Sequence, residues 1–267
     1  MSSVAHGATM KHVTKKNFDE ITIPYPPLVE QRRLAEILST VNLLIEQRKY
    51  QIEKLDLLAK SRFIEMFGDP VTNPMNWNKV RLSAIIVHAN NGMARRGCDT
   101  EGDIVLRLVE LQNGYIDYSS PNRIVLSEAE KARYRLQDKD FLFARVNGNP
   151  ENVGRCAFFT SIQSPIYHND HIIRVRFSSD VDVYFMSHLL NSPYGKLQMK
   201  DKIKTSAGQY TINQEGLGSI EIYLPPLALQ NEFAAFIEEL DKSKFTIRKS
   251  LEQLETLYRA LLQEYFG

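Results

Sequence analysis

Several residues in this sequence are of types that carry out catalysis, but their spacing does not match the common catalytic motifs. A metal-dependent DNA nuclease of the common type needs an acidic residue two positions before a lysine, and no Asp or Glu in the chain has a lysine at that spacing. An amino-methyltransferase needs Asn, Asp or Ser before Pro-Pro and an aromatic residue after it, whereas Leu28 and Leu227 follow the two Pro-Pro pairs. The chain also has no G-x-G-x-x-G, P-loop or G-x-S-x-G motif. We therefore expect a binding protein and no enzyme.

The histidines and cysteines do not form a metal-binding pattern. Cys98 and Cys156 are the two cysteines, and the histidines show no zinc-ligand spacing with them. We expect both to be small buried side chains in a reducing, cytoplasmic environment. His168 and His171 flank Asp170 in YHNDHII; a ligand role stays open, but a turn at a strand edge is the favoured interpretation. We expect no metal and no cofactor.

Three loops contain residue types that contact nucleic acid, because Arg and Asn side chains read guanine and adenine edges in pairs of hydrogen bonds. They are RVNGNPENVGR, with Arg145, Asn147, Asn149, Asn152 and Arg155; TSAGQYTIN, with Ser206, Gly208, Gln209 and Tyr210; and HANNGMARRG, with Asn90, Asn91, Arg95 and Arg96. Asn and Gly are also ordinary turn formers, so a simple turn explains each loop alone. Three such loops in one domain without catalytic motifs favour contact with nucleic acid.

Positive charge is local in this sequence. The net charge is +1 for the chain and +2 for residues 75–225. The segment KLQMKDKIK, however, contains Lys196, Lys200, Lys202 and Lys204 against one aspartate. Helical spacing places Lys200 and Lys204 on the face of Lys196. A solvated helix face is the simpler alternative to a phosphate-binding role.

The loops lie in a central segment of short predicted elements. From about residue 76 to 224, strand-like stretches such as VRLSAIIVHA, KDFLFARV and HIIRVRF alternate with turn residues, and VYFMSHLLNSPYGKLQMKDKIK is typical of one or two helices. This predicts one α+β domain.

A long amphipathic helix flanks this domain on each side. Apolar residues recur with heptad spacing at Leu34, Leu38, Val41, Ile45, Ile52, Leu55 and Met66, and again at Phe233, Ile237, Leu240, Ile247, Leu251, Leu254, Tyr258 and Leu261. A helix of this length cannot bury its apolar stripe alone. We therefore expect the two helices to pair with each other or with copies in another chain.

The two flanks are also copies of each other. Residues 8–68 align with 207–267 without a gap, so that IPYPPLVEQ and IYLPPLALQ share Ile, Pro-Pro-Leu and Gln at the same positions. Proline cannot donate to a sheet and restricts the residue before it. Each phrase therefore predicts a strand that ends and a long helix that begins.

The phrases ITIPYPPLVEQRRLAEIL and SIEIYLPPLALQNEFAAFI, together with NWNKVRL, DFLFARVNGNPENVGRCAFF and SAGQYTINQEGLGSIEI, resemble segments of the specificity (S) subunits of type I DNA restriction–modification systems. The resemblance implies a globular target recognition domain that reads one half of a split DNA site. It implies long helices that pair as an antiparallel coiled coil and dock methyltransferase subunits, and restriction subunits through them. By the same resemblance the first two loops contact DNA, and Lys200, Lys202 and Lys204 hold phosphates.

The sequence departs from the family pattern in containing one complete recognition domain. We expect residues 1–28 to be the tail of a preceding recognition domain, 29–68 the first long helix, 69–227 the recognition domain and 228–267 the second long helix. A half-subunit of this kind is expected to form a homodimer. Two alternatives stay open: a scaffold that binds methyltransferase without reading DNA, and a restriction enzyme with catalysis in the same chain.

Overall fold

The computed structural model describes residues 15, 18, 25–162, 164–206 and 208–266. The predicted domain tail, residues 1–28, lies almost entirely outside the described residues. In chain order the described elements are α1 (Leu28–Phe67), β1 (Asn78–Arg81), α2 (Leu82–Ile85), β2 (Ile86–Asn91), β3 (Asp103–Leu106), β4 (Arg123–Ile124), α3 (Glu128–Tyr134), β5 (Phe141–Ala144), β6 (Val146–Asn147), a 3₁₀ turn (Pro150–Asn152), β7 (Cys156–Phe158), β8 (Ile166–His168), β9 (Ile172–Phe177), α4 (Val183–Asn191), α5 (Pro193–Lys200), β10 (Lys204–Ser206), β11 (Gln209–Thr211), α6 (Gln214–Gly218), β12 (Glu221–Leu224) and α7 (Leu227–Phe266).

The chain divides into two compact units. One comprises residues 1–56 and 242–267, and the other comprises residues 57–241. The second, here called the globular unit, contains all the described strands, and each of the 40-residue helices α1 and α7 contributes residues to both units. Among the described helices, none combines the length and apolarity needed to cross a membrane. The α+β class with two long flanking helices agrees with the sequence prediction.

The heptad positions of both long helices are shielded from solvent. Leu34, Val41 and Ile45 of α1 are buried, and the equivalent stripe of α7 from Ile247 to Leu261 is half-buried. The helices run antiparallel: Arg62 contacts Glu232 at 3.0 Å, whereas Asp56, earlier on α1, contacts Lys244, later on α7, at 2.7 Å. The predicted antiparallel coiled coil is therefore confirmed.

The globular unit is built on small sheets that share a core. The largest has strand order β2-β9-β5-β7, and another has the order β4-β3-β8 with β3 and β8 parallel. One core cluster joins the two sheets, since it includes Leu142 and Ile172 of the first and Leu106 and Ile166 of the second. These four side chains are at most 1% exposed. This core fixes the end of β5, where the first polar loop begins, and the start of β9, where the polar turn 169–171 ends.

An aromatic cluster completes the core of the globular unit. Phe63 and Phe67 from the end of α1 lie with their ring centroids 5.4 Å from that of Phe233 of α7, and Phe185 of α4 stacks on Phe63 at 5.7 Å. Such aromatic pairs stabilise beyond their buried area. Trp77 donates from its indole nitrogen to the Phe67 carbonyl at 2.8 Å. The compact unit therefore begins before residue 69 and ends after residue 227.

The two copies of the Pro-Pro-Leu phrase have the same local structure. At the start of α1, Gln31 Nε2 donates to the Pro26 carbonyl at 2.8 Å, and at the start of α7, Gln230 Nε2 donates to the Pro225 carbonyl at 2.8 Å. In both copies the second proline's carbonyl accepts from the backbone N–H of the glutamine, at 3.0 and 3.2 Å. The glutamine thus uses its side chain to fix the chain that enters each helix, which the repeat alone did not reveal.

Several details differ from the sequence predictions. The stretch VRLSAIIVHA is not one strand, because the helical turn α2 separates β1 from β2. The predicted loop TSAGQYTIN contains the hairpin strands β10 and β11. Of the two cysteines expected to be buried, Cys156 is buried but Cys98 is exposed. Burial raises the pKa of the Cys156 thiol well above its usual range.

Candidate nucleic-acid interface

The first loop begins where the buried strand β5 ends. The backbone N–H of Arg145 donates to the His171 carbonyl at 2.7 Å, and its carbonyl accepts from the N–H of Ile212 at 2.9 Å. Its side chain is half-buried and donates from Nε to the Asp170 carbonyl at 2.7 Å. Arg145 is therefore held on both sides, and the rest of its guanidinium is the part left to contact a ligand.

The asparagines of this loop use their oxygens to shape it. Asn147 Oδ1 accepts from the Asn149 N–H at 2.9 Å, and Asn149 Oδ1 accepts from the Glu151 N–H at 3.0 Å. Asn152 Oδ1 accepts from the Arg155 guanidinium. Within the described residues, the side-chain NH₂ groups of these asparagines make no hydrogen bond. Those amide donors are what the loop can offer to an acceptor on a base or a phosphate.

Arg155 differs from the other predicted residues because its guanidinium faces the protein. Its Nη1 donates to the Leu111 carbonyl at 3.2 Å and to Gln112 Oε1 at 3.1 Å, and its Nη2 donates to Asn152. Its Nε is buried and has no partner among the described residues. This arrangement makes Arg155 a residue that positions the loop through Asn152.

The second loop is a hairpin that pairs with the first. β10 and β11 pair antiparallel with Ser206 opposite Gln209. Gly208, directly before β11, has φ +77°, and a Cβ added to it would meet no atom within 4 Å, which places it at an open tip. On its other edge β11 pairs with β6, with Tyr210 opposite Asn147. Residues that are about 60 positions apart in sequence therefore share one three-stranded sheet, β10-β11-β6.

The lysines lie on the approach to this hairpin, but not on one helix face. Helix α5 ends at Lys200, and Asp201 caps it. Lys204 begins strand β10, so the prediction that it shares a helical face with Lys196 is wrong. Lys200 lies 3.8 Å from Glu151 of the first loop, with both side chains largely exposed. An exposed pair of this kind contributes little to stability. Lys202 and Lys204 form no ion pair within the part of the chain that the structure describes.

The third loop joins the same region through the turn 169–171. Arg96 contacts Asp170 Oδ1 at 2.7 Å and His171 Nε2 at 2.9 Å. Burial, with a further contribution from Arg96, lowers the pKa of His171, so its ring is neutral at pH 7 and accepts from Arg96. Gly92 permits the close approach, because a Cβ there would lie 2.2 Å from the His168 carbonyl oxygen. Arg96 and Arg145 therefore converge on one turn.

The remaining residues of the third loop have fewer side-chain donors free to contact nucleic acid. Asn91 is exposed, and its Oδ1 accepts from Gln214 at 3.3 Å. Asn90 Oδ1 is buried without a partner among the described residues. Arg95 turns to helix α3, where it contacts Glu130 at 3.1 Å and the Val125 carbonyl at 2.7 Å. Of this set, Asn91 is therefore bonded to Gln214, just after the second loop, and Arg96 to the turn that holds Arg145.

Sequence reasoning did not single out the turn Asn169–His171 as part of this region. It interpreted YHNDHII as a strand-edge turn, and β8 and β9 do flank it. The backbone carbonyls and side chains of this turn are what bring Arg96 and Arg145 together. The signal in the sequence was a run of polar residues between two apolar strands. Among the described residues no cluster of His, Cys, Asp and Glu could hold a metal ion.

Comparison with known proteins places the sequence in a defined group. The family model described as "Type I restriction modification DNA specificity domain" matches residues 1–54 and 75–256. Over 98% of this chain, 29% of residues are identical to the type I restriction enzyme StySPI specificity subunit of Salmonella potsdam, and over its full length 28% are identical to the EcoKI specificity subunit of Escherichia coli K12. The alignments cover 60% and 61% of those two relatives, so the chain spans about three fifths of their length.

The fold is also similar to that of a solved structure. The type I restriction–modification S subunit from M. genitalium superposes with a TM-score of 0.60 at 17% identity, covering 99% of this chain and 68% of that one. At this identity the similarity concerns the fold, and it agrees with the α+β unit flanked by long helices.

Proposed function

Because the chain belongs to the type I restriction modification DNA specificity family, we propose that it is a DNA-binding specificity subunit that reads one half of a split target site. The observation that carries the proposal is the three-stranded sheet β10-β11-β6, which places Asn147 beside Tyr210. Two polar loops with unused donors thereby form one surface of the globular unit. We propose that this unit is the target recognition domain, that it acts without catalysis of its own, and that it works in the cytoplasm.

The residues of the surface have different proposed roles. Arg145, Asn147, Asn149 and Gln209 have side-chain donors suited to base edges, while Lys200, Lys202 and Lys204 are suited to phosphates, which position a protein on DNA without reading sequence. Ser206, Gly208 and Tyr210 supply the hairpin that carries Gln209. Asn91, Arg96 and Asn152 complete the proposed contact set. Arg155 positions Asn152, Arg95 is held by Glu130 and the Asn90 oxygen is buried, so these three are not proposed to contact DNA.

Mutation of the two kinds of residue tests these roles. Replacement of Arg145 by Ala should weaken binding to the cognate duplex by about 1–3 kcal/mol and leave other sequences less affected. Replacement of Lys204 by Gln should weaken binding to every duplex and reduce the salt slope by about 1. Binding of both variants to a cognate and a scrambled duplex, measured across a salt series, separates the two. Unchanged affinity and preference in Arg145→Ala would remove Arg145 from the site.

We propose that the long helices dock methyltransferase subunits, and restriction subunits through them. What supports this is the exposure of large apolar side chains outside the paired seam, among them Leu43 at 58%, Tyr50 at 57% and Phe245 at 70%. Apolar side chains of this size are enriched where proteins associate. Co-purification with a cognate methyltransferase subunit tests the proposal, and Leu43→Glu with Tyr50→Glu should abolish it while leaving DNA binding by the recognition surface intact.

We also propose that two copies of the chain associate. The two Pro-Pro-Leu helix starts have the same hydrogen bonds, yet among the described residues only Gln230 also contacts a recognition domain, through Asp180 and Asp182. The recognition domain of a second copy would supply the equivalent contact for Gln31. Identical half-sites would then be inverted about a two-fold axis. Light scattering at micromolar concentration should give a dimer, and a strict monomer would contradict this part of the proposal.

A further inference from the structure

An open cleft of about 400 Å³ lies on the globular unit, outside the polar loops and the hairpin. Its walls include Lys131 and Arg133 of helix α3, Arg135 just after that helix, and Arg174 and Arg176 of strand β9. Glu128 is the single carboxylate that lines it. This concentration of cations stands out in a chain whose net charge is +1.

The floor of the cleft has an unbalanced charge. Asp140 is 1% exposed and serves two guanidinium groups: Arg176 Nε lies 2.5 Å from its Oδ1, and Arg174 Nε lies 3.9 Å from its Oδ2. Arg174 is 5% exposed, and its Nε has no hydrogen-bond partner among the described residues. Buried charges are normally paired. One carboxylate shared by two arginines leaves one positive charge at the floor without a counter-ion.

The rim of the cleft adds charge that is not neutralised. Lys131 is balanced by Glu128 at 3.1 Å and Asp103 at 3.6 Å. By contrast, Arg133 and Arg135 are exposed, and neither forms an ion pair within the described residues. Arg133 instead lies over the Tyr134 ring, with its guanidinium carbon 5.5 Å from the centroid. Two rim guanidinium groups and one floor guanidinium are therefore available to the same anion.

Guanidinium groups grouped in this way are suited to phosphate, whose oxygens accept pairs of parallel N–H donors. The floor Arg174 is held in place by Nη1, which donates to the Arg135 carbonyl at 2.9 Å. That bond also ties the rim to the floor. The cleft is thus organised before any ligand arrives, which lowers the entropic cost of binding.

The cleft is connected to the proposed DNA-reading surface. Strand β9 leads from the turn that holds Arg96 and Arg145 to Arg174, three residues beyond His171, which is about 10 Å at the rise of a strand. Helix α3, the other wall, is tied to Arg95 of the third loop through Glu130. A duplex has a phosphate every ~3.4 Å of each strand, so a duplex that extends from the recognition surface along β9 would bring a neighbouring phosphate to the cleft.

We propose that this cleft binds a backbone phosphate of the target duplex outside the bases that are read, with Arg133, Arg135 and Arg174 as the phosphate ligands. The inference rests on the proposed function. It makes the cleft a second, sequence-independent anchor for the recognition domain. An acidic protein segment is the competing occupant, and the test below distinguishes it.

The test uses the full chain and the double variant Arg133→Gln with Arg135→Gln. Both residues are exposed, so the thermal unfolding curve should not change. The variant should bind cognate and scrambled duplexes several-fold more weakly, with the ratio between them unchanged. Its salt slope should fall by about 1, because both arginines are placed on one phosphate. As a control, Arg81→Gln removes one positive charge from an exposed arginine of β1 and should leave the slope unchanged.

The outcomes separate the cleft from the proposed function. If the wild-type chain binds no duplex, the proposed function is overturned, and so is the proposal that DNA occupies the cleft. If the wild-type chain binds DNA and the variant binds with equal affinity and salt slope, the phosphate site in the cleft is overturned and the proposed function is not. Inorganic phosphate, added at constant ionic strength, could raise the melting temperature of the wild type while the variant loses no DNA affinity. That pair of results would overturn DNA as the occupant and assign the cleft to free phosphate. Loss of methyltransferase association instead of DNA affinity would assign it to an acidic protein segment.

Discussion

The two helix starts have nearly the same sequence and the same internal hydrogen bonds, but different surroundings. Gln31 is half-buried, with Leu28 and Val29 beside it 60% and 81% exposed. Gln230 is fully buried. Besides donating to the Pro225 carbonyl, its side chain accepts from the Asp182 N–H at 2.9 Å and donates to the Asp180 carbonyl at 3.2 Å. The repeated phrase therefore fixes how a helix begins. Among the described residues, the additional contacts with Asp180 and Asp182 of the globular unit are made by one copy of the glutamine.

This difference explains why one glutamine can have two functions. Inside the phrase it holds the entering chain, which needs only its NH₂ group. In the second copy its carbonyl oxygen also anchors the N-cap residue of α4, because Asp182 caps that helix through Tyr184 and Phe185. Docking of helix α7 and folding of the globular unit are thereby coupled at one side chain.

The largest predicted loss of stability follows from a mutation at the start of helix α7. Gln230→Ala would leave the Asp182 N–H and the Asp180 and Pro225 carbonyls without their partner in a buried site. Each of these three buried groups costs about 1–3 kcal/mol when it is left unsatisfied, so the free energy of unfolding should fall by at least about 3 kcal/mol. Urea unfolding followed by the fluorescence of Trp77, which lies in the same unit, measures it. A loss below 1 kcal/mol would mean that water replaces these bonds.

Low pH should destabilise the globular unit, which contains the start of helix α7. His168 in its core is 0% exposed, and burial, with a smaller effect of Arg174, lowers its pKa to about 3. The unfolded chain therefore binds the proton more strongly, and stability falls as pH drops from about 6.5 towards 3. Between pH 7 and 5 the loss should be roughly 2 kcal/mol. His168→Gln should flatten this dependence; an unchanged slope would assign it to other groups.

The smallest predicted loss of stability follows from a mutation at the start of helix α1. Gln31→Ala removes one hydrogen bond at a half-buried site, so the free energy of unfolding should fall by about 1 kcal/mol. This variant is the matched control for Gln230→Ala. If a second copy docks on Gln31 as proposed, the effect should grow with protein concentration, since dimer stability depends on it. Equal losses in the two glutamine variants at low concentration would remove the distinction between the two starts.

The long helices could be predicted from sequence because their signal is local and repeated. Heptad spacing runs through both without Pro or Gly, and the residues at those positions are the ones the structure shields. The hairpin β10-β11 could not be predicted, because strands of three residues are too short to show alternation. The end of α5 at Lys200 was missed for a similar reason, since nothing in KLQMKDKIK distinguishes a helix end from a helix interior.

The candidate site was predictable in composition but not in geometry. The Asn and Arg residues of the loops stand out in the sequence, yet the side-chain bonds that decide their roles connect distant positions. Arg95 is bound by Glu130, and Arg155 is bound by Leu111 and Gln112. Pairing of Asn147 with Tyr210 likewise depends on the fold of the whole unit. Sequence identifies candidates for DNA contact, whereas the structure shows which of them have donors left to use.

We propose that this chain directs a methyltransferase to a DNA sequence through the surface formed by β6, β10 and β11. The most direct test is to co-express the chain with a cognate type I methyltransferase subunit and to map DNA methylation across a whole genome. We predict methylation at one inverted repeat with equal half-sites and a fixed spacer, altered by Arg145→Ala. Two unequal half-sites would contradict the homodimer alone. A stable complex that methylates no specific sequence would contradict the claim itself.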